Sequence, residues 1–312
     1  MMKSMKHTLL LLLAAGLSTA CTQDELSNGN EGAQPLVLRT DLRPLATRTT
    51  PNGEWKGGEK VSVQVENTTP YEYTAGTDGT LTSVAPYYWQ GQASSIDIKA
   101  WSFGGGEYHD LADSWIVPAD QSDEDKLASA DVLYAQKSGM TYVESLQEEG
   151  ALKFYHQNAK IVVNILNEGF ITGFSDPKLT LNIVNVNNTG TFTFPTAENN
   201  FGSWTTNSSG AVSITAYSLP TSNTVNDKPA VASFEAIVLP QRLISITGDN
   251  LLEIEIANDS KFAYSIPSSG ITWESGKVYT YNITLVGTGR VEVSNITVSP
   301  WTPQDGGSLT TE

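Results

Sequence analysis

Few side chains in this chain could do chemistry. There is one cysteine, Cys21, and there are three histidines. A nucleophilic cysteine needs a neighbouring base and a positive microenvironment, yet the charges that follow Cys21 are Asp24 and Glu25. With no second cysteine, an intrachain disulfide is excluded. His109 lies in the glycine-rich stretch SFGGGEYHD, whereas His156 lies in LKFYHQNAKIVVNI, which reads as strand. His156 is therefore expected to be a hydrogen-bonded core or boundary residue. No H-E-x-x-H, paired cysteines or G-x-S-x-G occur. SFGGGEYHD lacks the Lys-Ser/Thr pair and following helix of a phosphate cradle, so it reads as a hairpin loop. DQSDEDK, residues 120–126, supplies oxygen atoms for calcium but not the spacing that wraps them around an ion. It reads as a solvated acidic loop. No catalytic residue, cofactor or metal site is assigned.

Cys21 fits an anchoring role better. Upstream of it, Lys3 and Lys6 precede an apolar run from Leu9 to Leu17 and then small residues. This is the pattern of a secretory signal peptide, residues 1–20. A cysteine directly after the cleavage site resembles the bacterial lipoprotein signal, in which the thiol is acylated. Ser18 stands where that signal commonly has leucine. Residues 21–34 are polar and without apolar period, so they read as a flexible tether. Their acidic start resembles a surface-export signal of Bacteroidetes lipoproteins.

The elements that would position any site are strands. Val61, Val63 and Val65 share a face, as do Leu179, Leu181 and Ile183, then Leu252, Ile254 and Ile256. Phe262, Tyr264 and Ile266 repeat the pattern, and so do Tyr279, Tyr281, Ile283 and Leu285. Period-two alternation of this kind predicts an all-β chain of antiparallel sheets packed as β-sandwiches. One short helix is expected in SDEDKLASADVL, with Ser122 as its cap. In LKFYHQNAKIVVNI the apolar parity changes between His156 and Ile161, which predicts a bulge or kink at Gln157 and Asn158. The polar stretch SLQEEGA divides the chain into regions 35–148 and 149–312. On either side of it the spacing W-x-x-G-x-x-Φ-x-Φ recurs, from Trp55 and from Trp273.

The formal charge is −16, and loss of Lys3 and Lys6 with the leader takes it to −18. Such a chain repels phosphate backbones, so nucleic acid is not an expected partner. Aromatic residues concentrate in APYYWQGQ and at Trp101, Phe103, Tyr108 and Trp115. A flat ring can stack on a sugar. Tyr88, Trp89 and Trp101 thus define an alternative function, a surface glycan-binding lipoprotein that stays membrane-anchored. Packing inside a sandwich accounts for the same rings.

Taken in order, TRTTPNGEWKGGEKVSV, PYYW, ADVLYAQ, LKFYHQNAKIVV, FEAIVLPQ and WESGKVYTYNITL…VEVSNITVSPW resemble the fimbrillin family, lipoprotein precursors of Bacteroidetes type V pili. The resemblance implies two transthyretin-like antiparallel β-sandwich domains in tandem, here 35–148 and 149–312. It implies a structural, non-enzymatic subunit of an adhesive pilus, delivered to the outer membrane through a lipid on Cys21. A trypsin-like protease would then cut after an arginine and remove the first strand, and the vacated groove would accept a strand from another pilin subunit.

In PLVLRTDLRPLATRTT the candidate first strand runs through Leu36 and Leu38. Arg43 precedes a proline and Arg39 lies within the strand, so Arg48 is the expected processing site. The C-terminal VEVSNITVSPW is a candidate donor strand from its position.

Overall fold

The alternating stretches do form strands. The computed structural model describes residues 33–40, 55–91, 93–109, 114–166, 179–198, 200–207, 211–220, 222–245, 247–256, 260–286 and 290–301. The first part of the chain supplies β1 (Leu38–Arg39), β2 (Lys60–Val65), β3 (Tyr71–Ala75), β4 (Thr80–Thr82) and β5 (Ser95–Phe103). After these come β6 (Trp115–Ile116), β7 (Val132–Thr141) and β8 (Tyr155–His156). All but β6 join one seven-stranded sheet in the order β1-β4-β3-β2-β5-β7-β8, with every pairing antiparallel. Val61, Val63 and Val65 face a core with Leu36, Leu38, Tyr73, Ile98 and Phe154. The sheet curls so far that its two ends meet. Thr40 bridges Leu152 in parallel, and the Leu152 N–H donates to the Arg39 carbonyl at 2.8 Å.

The longer second part supplies β9 (Ala159–Leu166), β10 (Leu179–Val186), β11 (Thr189–Thr193), β12 (Ser203–Thr206) and β13 (Val212–Thr215). It continues with β14 (Tyr217–Ser218), β15 (Thr224–Val225), β16 (Lys228–Pro229), β17 (Ala232–Val238) and β18 (Gln241–Leu243). Last come β19 (Asn250–Ile256), β20 (Ser260–Ser265), β21 (Ile271–Trp273), β22 (Lys277–Val286) and β23 (Arg290–Pro300). Nine of these form a sheet in the order β13-β10-β19-β20-β23-β22-β9-β17-β14. Most pairings are antiparallel, as the alternation predicts. The exceptions are β9 with β22, parallel from Ala159 to Leu166, and one parallel contact between Ala263 of β20 and Arg290 of β23. Strand β9 has the character of a parallel, doubly covered strand, because residues 159–165 are all buried.

The parity change at Gln157 and Asn158 is larger than a bulge. His156 pairs with Leu133 in the seven-stranded sheet, and Ala159 pairs with Val238 in the nine-stranded one. The chain crosses between sheets on two fully buried polar residues, and among the described residues Asn158 Oδ1 has no hydrogen-bond partner. Gln157 N–H donates to Val132 O at 2.7 Å, and Gln157 O accepts from the Trp204 indole at 2.8 Å. Asn158 O accepts from Gly276 N–H at 2.9 Å.

The expected helix is α1 (Glu124–Ala128), but its cap is Asp123, not Ser122. The Asp123 carboxylate accepts from Lys126 N–H at 2.9 Å, while Ser122 N–H is taken up by Asp120 at 3.1 Å. The SLQEEGA stretch is ordered too, spanning the end of α2 (Tyr142–Ser145) and a 3-10 turn at Glu148–Gly150. Thr141 and Glu144 close a capping box at the start of α2.

Candidate functional site

The residues around the first strand form the most complete site in the seven-stranded sheet. Leu36 and Leu38 are 2% and 1% exposed, whereas the alternating Val37 and Arg39 face solvent. Each buried leucine stabilises its seat by about 1.5–3 kcal/mol relative to exposure. Backbone bonds hold the segment along one side: Leu36 N–H to Tyr87 O at 2.7 Å, Trp89 N–H to Gln34 O at 2.9 Å, and Thr40 N–H to Gly79 O at 2.8 Å. On the other side lies Leu152. The strand thus sits in a slot between the 79–89 segment and Leu152.

Side chains reach the strand from the floor and rim of the slot. Tyr73 donates its hydroxyl to Leu36 O at 3.1 Å, and burial pushes this phenol well above its usual range, so it stays a neutral donor. The Trp55 indole donates to Thr40 Oγ1 at 2.7 Å, and the Thr40 hydroxyl donates to Gly79 O at 3.0 Å. Trp55 itself meets Phe154 edge to face at 5.4 Å. Sequence reasoning placed Leu36 and Leu38 in the strand but missed Tyr73, Thr40 and Leu152. Trp55 was visible only as the start of a turn-plus-strand pattern. That turn is built by Glu59, whose carboxylate accepts from Lys56 N–H at 2.6 Å and Gly57 N–H at 2.8 Å.

Of the three arginines weighed as processing sites, Arg39 lies in the slot. The peptide bond after it is hydrogen-bonded on both sides, through Arg39 O to Leu152 and through Thr40 N–H to Gly79. A protease needs an extended, unpaired backbone, so this bond is protected. Arg43, Arg48 and Cys21 lie outside the described residues.

A fimbrillin-like family profile matches residues 47–301. The chain belongs to the fimbrillin-like family. Among curated proteins no sequence relative matches it. Among solved structures, a candidate cell adhesion protein from Bacteroides uniformis is similar at a TM-score of 0.58 and 20% identity, covering 87% of this chain and 98% of that one. A candidate cell adhesion protein from Bacteroides ovatus gives a TM-score of 0.58 at 16% identity, covering 88% of this chain and 100% of that one. These likenesses bear on the fold. The tip fimbrial protein Mfa3 from Porphyromonas gingivalis is a more distant match, with a TM-score of 0.43, 10% identity, and coverage of 85% and 98%.

The other sites weighed from sequence resolve into packing within this fimbrillin-like fold. Trp89, Trp101 and Phe103 are buried, and Trp101 and Phe103 pack with Phe192, Phe194 and Trp204 between the two halves of the chain. Of the three rings proposed for sugar stacking, Tyr88 alone presents surface. His156 is buried and hydrogen-bonded through Nδ1 to Asp131 Oδ2 at 2.8 Å.

The acidic loop carries its own cation. Lys126 Nζ lies 2.8 Å from Asp120 Oδ2, 3.1 Å from Asp123 Oδ2 and 3.3 Å from Ser122 Oγ. Among the described residues no group of three or more His, Cys, Asp or Glu side chains is placed to hold a metal. The glycine-rich stretch is a tight turn, with Gly104 and Gly105 at positive φ and Phe103 bridged to Glu107. Among the described residues no helix is long and apolar enough to cross a membrane.

Proposed function

We propose that this protein is a structural subunit of an adhesive surface pilus, exported as an outer-membrane lipoprotein through Cys21 and assembled by strand exchange in the slot of β1. The observation that carries the reading is the position of the first strand. It lies at the end of its sheet, it buries Leu36 and Leu38 in the core, and the whole of it precedes Arg48. A trypsin-like cut after Arg48 separates that strand, together with the tether 21–34 and the lipid, from everything that forms the slot. Displacement then leaves unpaired backbone groups beside an apolar groove, which a strand from another pilin subunit satisfies. In this reading the chain divides into leader 1–20, tether 21–34 and tandem sandwich domains 35–148 and 149–312, with Leu152, Phe154 and β8 at the start of the second region completing the sheet and core of the first.

Strand β23 is the segment best suited to donate. A β-bulge at Ser294 shifts its alternation, so that Ile296 and Val298 pair with Tyr281 and Tyr279. They share the face of those buried rings yet remain 43% and 55% exposed. Their two-residue spacing equals that of Leu36 and Leu38.

Treating the purified lipoprotein with a trypsin-like protease tests the proposal. The expected result is one discrete cut after Arg48 followed by growth of polymers. Resistance near Arg48 together with a persistent monomer contradicts it.

A further inference from the structure

The last strand is secured unevenly. Residues 294–300 are all exposed, although their backbone continues the antiparallel ladder with β22 as far as Pro300. Among the described residues their other edge is not paired along this stretch, and β20 meets β23 at Arg290 alone. The next residue, Trp301, is 5% exposed. Its ring stacks on the imidazole of His156 with centroids 4.0 Å apart and planes 3° from parallel. Asp131 Oδ2, 2.8 Å from His156 Nδ1, fixes the plane of that imidazole. Trp301 N–H donates to Gly276 O at 2.6 Å, and Gly276 N–H donates to Asn158 O. One ring thus ties the end of this exposed stretch to the buried point where the chain crosses between sheets.

We infer that the Trp301–His156 stack is a latch that holds the C-terminal strand in its own sheet, and that opening it is what frees the strand. The role in assembly rests on the reading of β23 as donor. The latch itself does not. Beyond Val293, half-buried, no side chain of β23 up to Pro300 is buried, so among the described residues this half of the strand has a backbone ladder and the one apolar fastening at Trp301. Such a segment opens locally without the rest of its sheet. Removing the fastening lowers the cost of that opening, while the central strands β9 and β17 keep their cover on both flanks.

Hydrogen exchange on the exported protein tests this. Trp301→Ala is expected to speed exchange of the 295–299 amides by at least about tenfold, with the amides of β9 unchanged. Trp301→Phe, which keeps a ring face for His156, stays near the wild-type rate. Unchanged exchange at 295–299 overturns the latch. So does equal acceleration across the whole nine-stranded sheet, which marks general destabilisation. Assembly after proteolysis is the second readout. Faster polymer growth by Trp301→Ala supports gating, and growth at the wild-type rate overturns it. If exchange responds as expected but neither protein forms polymers, the latch stands and the pilus reading fails.

Discussion

The Trp55 indole donates to the Thr40 hydroxyl at 2.7 Å, and these two residues stand on opposite sides of Arg48 in the sequence. The bond joins the strand that a cut after Arg48 would detach to the domain that would keep the slot. Proteolysis there breaks covalent continuity but leaves this bond, the slot's backbone bonds and the buried leucines in place. A cut subunit therefore keeps its first strand by non-covalent contacts until another strand displaces it.

Leu38→Ala is expected to destabilise the uncut protein by about 2–5 kcal/mol, because the emptied seat beside Leu81 cannot collapse fully. Urea denaturation of wild type and variant reads the difference. After cleavage the same variant should release its N-terminal fragment sooner, which size exclusion detects. A loss below about 0.5 kcal/mol, typical of surface sites, would place Leu38 outside the core.

Trp55→Phe and Thr40→Val together form a double-mutant cycle. The expected coupling is about 0.5–1.5 kcal/mol, the net contribution of one hydrogen bond between neutral groups. Additive losses would show that the two side chains do not act as a pair.

Acid stability should depend on Lys126. Its hydrogen bond to Asp120 and the backbone N–H it offers Asp123 hold both carboxyls below the usual carboxylate range. At Glu144 the Thr141 backbone N–H, followed by its hydroxyl, does the same. A carboxyl with a depressed folded pKa contributes stability above its unfolded pKa and loses it as pH falls through the folded value. The melting temperature should therefore drop as pH is lowered below the ordinary carboxylate range. Lys126→Met should make that drop smaller, and an unchanged slope would remove Lys126 as the cause.

Trp101→Ala should cost about 3–5 kcal/mol, since the ring is 1% exposed and its indole donates to His109 O at 2.8 Å. A folded variant of wild-type stability that had lost saturable binding to a glycan gel would instead favour a sugar-binding surface.

Much of this architecture was legible in the sequence because one-sided burial writes itself as alternation. Leu36 and Leu38, the valines of β2 and Tyr279, Tyr281, Ile283 and Leu285 of β22 all lie on the faces their parity predicts. The change of face at Gln157 was legible as an event but not in kind, because parity reports a flip without saying whether the strand bends or leaves its sheet. The parallel pairing of β9 with β22 joins residues 118 positions apart, as at Lys160 and Val278. It is decided by packing, not by either strand's own pattern. Trp115 and Leu127 precede the SLQEEGA stretch, yet they pack with the core of the nine-stranded sheet. Polarity along the chain does not show which core a side chain enters. The helix cap shifted by one residue because Ser122 and Asp123 both carry a capping oxygen, and it is Asp123 that accepts the Lys126 N–H. The slot was half legible, since Tyr73 and Leu152 meet the first strand only through the curl of the sheet.

The N-terminal residue of the protein isolated from cell-surface fibres tests the central claim most directly. Removal of the first strand after Arg48 predicts Thr49 at the start of the assembled chain, with the acylated Cys21 segment absent. Fibres whose subunits all begin at acylated Cys21 and retain Leu36 and Leu38 would contradict it.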